Sequence, residues 1–281
     1  MNDLYWAIHP HAMQEFPQQY AAYWQYCAEH GIEDGPAEDA QRDGLPIRVT
    51  NGIAVIPVMG GMIRRAGPIA RMFGIAGTDG LRLAIESALA DEDVNSIVLR
   101  VDSPGGSVSG LDQLGDVINA ADKPVIAQVE GMAASAAYYV ASQADRIMAG
   151  RTDLVGSIGT RIMLYDFSAA FEEAGIKPIP IDTGEYKSAG AMGTEITENQ
   201  QEDFRRLVDF YFKDFIQVVA RGRGITESAV QEVADGRLYT PEEAIESGLI
   251  DGVATLEKTL AEQRLNQQGR ATDSARARLR L

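Results

Sequence analysis

Apolar residues in this chain come in short runs that alternate with longer, one-sided stretches. Ile47–Thr50 and Ile53–Val58 flank Asn51-Gly52, the dipeptide of a two-residue hairpin turn. Ser96–Val101, Pro124–Val129, Arg146–Ala149 and Lys177–Ile181 are further short runs, each the length of a buried strand. Between them apolar residues recur at helical spacing. One such stretch runs from Asp79, a candidate cap, to about Ala90, with Leu81, Leu83, Ala84 and Leu89 inward. Others cover about 109–121 and 169–174. The longest covers Thr197 to Arg221, with Phe204, Leu207, Val208, Tyr211, Phe215, Val218 and Val219 on one stripe. Thr197 and Gln200 have the spacing of a capping box.

Strand–helix alternation of this kind predicts an α/β domain with a largely parallel sheet. Functional loops in such sheets follow the carboxyl ends of strands. Asp102–Ser107 and Gly131–Ala137 both occupy that position. Met59 to Gly77 is glycine-rich and is expected to be a mobile loop. Residues 1–45 carry Tyr5, Trp6, Phe16, Tyr20, Tyr23, Trp24 and Tyr26, then an acidic run. They are expected to form a helical extension and a solvated linker. The main domain is placed at 46–264, and the basic stretch 265–281 is expected to be disordered.

Composition narrows the field. The net charge of −16 argues against nucleic acid and anionic membranes as partners. No run approaches the ~20 apolar residues of a membrane span, and the first residues lack a secretory pattern. A cytoplasmic protein is expected. The single Cys27 excludes an internal disulfide, and all three histidines lie in the first thirty residues. No metal and no cofactor is expected.

The candidate chemistry centres on Ser135, which lies among small residues where a helix would start. No histidine follows it, so a lysine is favoured over a histidine as its base. Of the five lysines, Lys123 and Lys177 precede strands, Lys213 is on the long helix and Lys258 is near the tail. Lys187 sits in a loop of small residues after a strand. Gly105-Gly106 would let backbone N–H groups face an oxyanion, and Ala136 would offer another from the first helical turn. Asp102 and Asp182 end strands on the same side. Taken singly, each has an ordinary alternative: a tight turn, a helix cap, an exposed lysine.

Together the motifs resemble a known family. Asp102-Ser103-Pro104-Gly105-Gly106, Met132 through Tyr139, Gly156-Ser157-Ile158-Gly159 and Tyr186-Lys187-Ser188 stand in the order and spacing of the signal peptide peptidase A family. That family includes the protein C type proteases of tailed-phage proheads. Ala234–Tyr239 and Glu243–Asp251 are similar to its C-terminal signature. The resemblance implies a ClpP/crotonase-like fold with β-β-α units and a Ser/Lys dyad. Ser135 maps to the nucleophile, Lys187 to the general base and Ser157 to the serine that positions it. Gly106, with Ala136, maps to the oxyanion hole. Gly105, Ser107 and Met132 flank these positions and are the expected substrate contacts. Ala136-Ala137 stands where many members have Gly-Gly.

The resemblance further implies an extended peptide substrate and a homo-oligomer in a ring or dome, with Lys187 serving its own chain or a neighbour. Asn51–Val58 is similar to the first strands of the phage branch. The expected role is therefore head maturation, with scaffold, portal or capsid proteins as substrates. Competing readings are a soluble signal-peptide-degrading enzyme, an acyl-CoA enzyme of the crotonase type, and a non-catalytic assembly factor.

Overall fold

A computed structural model describes residues 6–8, 47–67, 70–71 and 74–278, with side chains described over 47–67, 70–71 and 74–269. The scaffold is one ten-stranded mixed sheet. Its main path runs β10 (Gly252–Val253), β7 (Arg146–Ala149), β6 (Val125–Ala134), β5 (Ser96–Ser107), β3 (Ile53–Ile63), β2 (Arg48–Thr50). The neighbours are parallel except β2 and β3. That pair is the expected hairpin, with φ positive at both Asn51 and Gly52 as its tight turn requires. Four short strands lie off the path. β1 (Trp6–Ile8) and β4 (Ala76–Gly77) join β5 and β3; β8 (Leu154–Gly156) joins β6, and β9 (Leu238–Tyr239) joins β8.

The central strands carry apolar residues on both faces because both faces are covered. Ile97, Val98 and Leu99 of β5 and Ala127 and Val129 of β6 are fully or almost fully buried. Helices α1 (Thr78–Ala90), α2 (Leu111–Asn119) and α3 (Ala136–Ala141) follow β4, β5 and β6. All six residues of α3 are buried. Its Tyr138 hydroxyl donates to the Leu249 carbonyl at 2.7 Å, and burial pushes that phenol well above its usual range.

Further helices among the described residues are α4 (Ser168–Glu173), α5 (Glu198–Arg223), α6 (Glu227–Val233), α7 (Pro241–Glu246) and α8 (Leu256–Arg278). α5 opens on the expected Thr197/Gln200 capping box. Only its second half is deeply buried, at Phe215, Ile216, Val218, Val219 and Ala220. Gln128, buried in β6, donates to the Ala254 carbonyl and accepts from Thr259, fixing the start of α8 on the sheet.

Several expectations change. Trp6–Ile8 is a strand rather than part of a helix, because it adds to an open edge of β5; the rest of 1–45 lies outside the described residues. Helix α8 continues to Arg278, against the expected disorder from 265. Its Ala, Arg and Gln residues are good helix formers with no proline among them, and Gln267 anchors it to Gly52 and Ser96. Part of the glycine-rich 59–77 stretch is strand, with Met62 and Ile63 paired to Ala76 and Gly77. Asp79 does not cap α1; it sits in the first turn and pairs with Arg64 and Arg65. Leu83 is 47 % exposed, because Ile85 and Ala88 take the inward face instead. Lys177–Ile181 forms no strand. Pro178 and Pro180 have no N–H to donate, and Ile179 and Ile181 stand 76 % and 94 % exposed.

Candidate active site

Strand β6 delivers Ser135 to the carboxyl end of the sheet, and α3 begins one residue later. The turn between them is sharp. Ser135 has φ 52° and ψ −119°, a region that glycine occupies freely and other residues rarely. Two hydrogen bonds hold it there. The Ser135 N–H donates to the Gly156 carbonyl at 2.8 Å, and its carbonyl accepts from the Tyr139 N–H at 2.9 Å. Strand, strained turn and helix together aim a serine out of the sheet.

Gly156 and Ser157 form the neighbouring wall. β8 pairs with the last residues of β6, Ala134 opposite Gly156. Gly156 has φ 110° and an added Cβ would lie 2.8 Å from the Tyr239 ring. Ser157 also has positive φ, 50°. Its N–H donates to the Arg237 carbonyl at 2.7 Å, so the Arg237–Tyr239 segment braces this wall.

The Ser-Pro-Gly-Gly segment is not a free loop. It continues β5 because β3 runs beside it, past an irregularity between Met59 and Gly61. The Ser103 hydroxyl donates to the Gly60 carbonyl at 2.6 Å and accepts from the Gly105 N–H at 3.2 Å. A Cβ on Gly106 would lie 1.9 Å from the Met62 carbonyl oxygen. Only glycine fits this crossing, which brings the Gly106 backbone to the site. Ser107 is buried and its hydroxyl accepts from the Ser109 N–H at 3.2 Å.

Two carboxylates steady the approach to Ser135. Asp153 accepts from Gly131 and Gly150 N–H groups at 2.9 and 2.6 Å. Asp102 accepts from the Met132 N–H, and a Cβ on Gly131 would meet its carboxylate at 2.6 Å. Burial raises the Asp102 carboxyl above its ordinary value against the pull of that N–H, and the nearby Asp153 charge adds to the rise. Asp102 thus holds the end of β6 rather than a base. Asp153 is a contributor that the motifs did not single out, and Arg237 enters only as part of the Ala234–Tyr239 signature, with no role given to it. Asp153 shows only as an acid three residues before Gly156.

Ser135, Ser157, Met132, Ala136, Gly105, Gly106 and Ser107 therefore gather at the carboxyl ends of β5, β6 and β8. Lys187 is not joined to them. It is exposed, in a run of turns whose backbone bonds are local, its N–H donating to Gly184 at 3.1 Å. No hydrogen bond links its side chain to Ser135 or Ser157 among the described residues. Asp182 is also exposed. Among the described residues no three His, Cys, Asp or Glu side chains converge as a metal site, and no helix is long and apolar enough to cross a membrane. Two clefts of about 360 and 370 Å³ open at the opposite, amino end of the strands, around Asn95, Asp122 and Lys123. They share no residue with the serine site.

A strained serine between a parallel strand and a helix, walled by glycine-bearing strands, has the backbone form of a nucleophile elbow. The model for Clp protease matches residues 66–165, and the fold is of the ClpP/crotonase-like class. The model for Peptidase family S49 matches residues 118–269, more than half of the chain, so the chain belongs to Peptidase family S49. The head-tail preconnector protein GP5 of Enterobacteria phage P21 is 31 % identical over 213 residues, 75 % of this chain and 42 % of that one. Capsid assembly protease C of Escherichia phage lambda is 31 % identical over 223 residues, 79 % of this chain and 49 % of that one. Protease 4 of Haemophilus influenzae is 28 % identical over 225 residues, 78 % of this chain and 36 % of that one. The chain spans less than half the length of each of these three relatives.

Proposed function

We propose that this chain is a serine endopeptidase working through Ser135 and Lys187. The observation that carries the reading is the Ser135 turn, held in a strained conformation between the Gly105-Gly106 and Gly156-Ser157 walls. Neutral Lys187 takes the hydroxyl proton as Oγ bonds to the substrate carbonyl carbon. The Gly106 N–H, with the first-turn N–H of Ala136, receives the oxyanion. The carbon–nitrogen bond then breaks and the amine leaves with the proton from Lys187. Water gives a proton to Lys187 and bonds to the acyl carbon; the bond to Ser135 Oγ breaks, the acid leaves, and Lys187 returns the proton to Oγ. Ser157 positions the lysine, and Gly105, Ser107 and Met132 hold an extended peptide.

A lysine acts as a base only as the neutral amine, a form that burial favours. Lys187 is exposed, and in this reading a neighbouring chain buries it. The proposed cover is a second copy of this chain. Met163, Tyr165, Ile176, Ile179, Ile181 and Met192 are each at least half exposed in the same segment, an apolar patch of the kind that marks an interface. In this reading the dyad is completed in a homo-oligomer.

The proposed role is phage or prophage head maturation in the host cytoplasm or prohead interior, acting on scaffold, portal or capsid proteins. Its support is the similarity to proteins named for capsid assembly and the head-tail preconnector. The test is proteolysis by Ser135→Ala, Lys187→Ala and a mixture of both. Each variant alone is expected to be inactive while folded. Activity regained on mixing shows a dyad shared between subunits. Cleavage by either single variant refutes the dyad. Mass spectrometry of cleaved ends, after co-expression with scaffold and portal proteins, tests the role.

A further inference from the structure

Strands β5 and β6 separate at the serine site. Their last register is Ser103 opposite Ala133, after which β6 turns away through Ser135. The next residues of β5, Gly105 to Ser107, have lost that neighbour. On one edge Gly105 and Gly106 still pair with Gly61 and Met62 of β3. The other edge, the one facing the vacated β6 side, is taken by β1. It runs antiparallel, with Ile8 opposite Gly105, Ala7 opposite Gly106 and Trp6 opposite Ser107. With β1 in place Ser135 is 2 % exposed.

An extended peptide enters such a site by adding to a strand edge next to the nucleophile. The free edge beside Ser135 is that of Gly105–Ser107, and the chain's own Trp6–Ile8 is on it. We propose that this segment is an internal competitor. It holds the substrate's strand position and closes the site to other peptides until it is displaced. This rests on the peptidase reading above.

Length and tethering both fit a displaceable strand. Three residue pairs are fewer than the ~5–6 residues of an ordinary strand, so the pairing is weak enough to open. Being in the same chain, the segment still acts at high effective concentration. It therefore competes best against dilute peptides and yields to substrates packed at high local concentration. The contact is made by backbone pairing, so it does not require that Trp6–Ile8 match a preferred cleavage sequence.

The test uses the full chain, the full chain with Ala7→Pro, and a chain lacking residues 1–9. Proline within the strand removes a backbone donor and breaks the pairing. A fluorogenic extended peptide measures hydrolysis, a fluorophosphonate probe measures the reactivity of Ser135, and amide exchange measures protection at Gly105–Ser107. Both altered chains are expected to show a KM lower by about tenfold at unchanged kcat, as when the competent fraction rises from about one tenth towards unity. Exchange at Gly105–Ser107 should quicken in step. A synthetic peptide of residues 4–10 should inhibit the shortened chain competitively. Equal KM values in all three chains, with normal labelling, overturn the competitor but leave the peptidase standing. No labelling and no cleavage in any form overturns both.

Discussion

Ser135→Gly and Ser135→Ala both delete the hydroxyl, yet they should differ in stability in a direction that measures strain at this turn. The two variants differ by one methyl group at a position 2 % exposed. Losing a buried carbon costs ~0.8 kcal/mol. Glycine's greater freedom in the unfolded chain costs a further ~0.5–1 kcal/mol. At a relaxed position the glycine variant would therefore be less stable by ~1.5 kcal/mol. At φ 52° and ψ −119° the position is not relaxed. A residue with a Cβ gives up ~1–3 kcal/mol there, which glycine recovers. The expected balance is a glycine variant about as stable as the alanine variant, or more stable by ~0.5 kcal/mol. Urea unfolding of both in one buffer reads the difference from the midpoints, provided the slopes agree. A glycine variant weaker by ~1.5 kcal/mol refutes stored strain at the nucleophile. Neither variant carries Oγ, so activity does not enter the comparison.

Three further outcomes follow from other parts of the molecule. Asp251 accepts from the Ile147 N–H at 2.7 Å and from Arg223 at 2.8 Å. Burial pushes its carboxyl up, but the Arg223 and Ile147 bonds prevail and hold it below the ordinary range. Asp251→Asn leaves Arg223, whose side chain is 7 % exposed, without its counter-charge and should cost ~2–3 kcal/mol near neutral pH. A depressed carboxylate stabilises the fold above its unfolded pKa of ~3.9 and loses that contribution as pH falls through the folded value. Urea midpoints of parent and variant should therefore converge below about pH 4; a constant gap rejects the ionic account. Gly106→Ala should cost ~2 kcal/mol or more and lower hydrolysis, since backbone of β3 blocks the new methyl. Gly61→Ala, with nothing within 4 Å of its Cβ, is the control, expected within ~0.5 kcal/mol of the parent. Ile179→Asp with Ile181→Asp should leave thermal melting unchanged while lowering the assembly state in sedimentation; an unaltered assembly rejects this patch as the interface.

Local chemistry explains which parts were legible. The Asn51-Gly52 turn, the Thr197 capping box and the strand–Ser135–helix junction depend on residues a few positions apart. Their side chains and backbone preferences announce them. Longer-range accounts fail without tertiary partners. Trp6–Ile8 reads as part of an aromatic helical segment until an open edge of β5 is available to it. Asp102–Ser107 reads as a loop until β3 is set beside it. The helical reach of α8 beyond 265 was hidden by its lack of an apolar face, although Gln267 docks it by hydrogen bonds instead.

Lys187 marks a different limit. The run before it reads as a strand that would place it at the sheet's functional end. Pro178 and Pro180 withhold the donors such a strand needs, and the isoleucines between and after them face solvent. An apolar run with no sheet partner and no core to enter is stable chemistry only if something covers it. The two halves of the proposed dyad are therefore built by different means. The Ser135 half is fixed by backbone bonds inside one chain. The Lys187 half is exposed and, in the proposed reading, waits on burial by a second copy. On this reading an isolated chain holds a prepared nucleophile with no competent base. Together with a substrate edge already filled by Trp6–Ile8, that keeps hydrolysis off until copies and substrate are concentrated in one place.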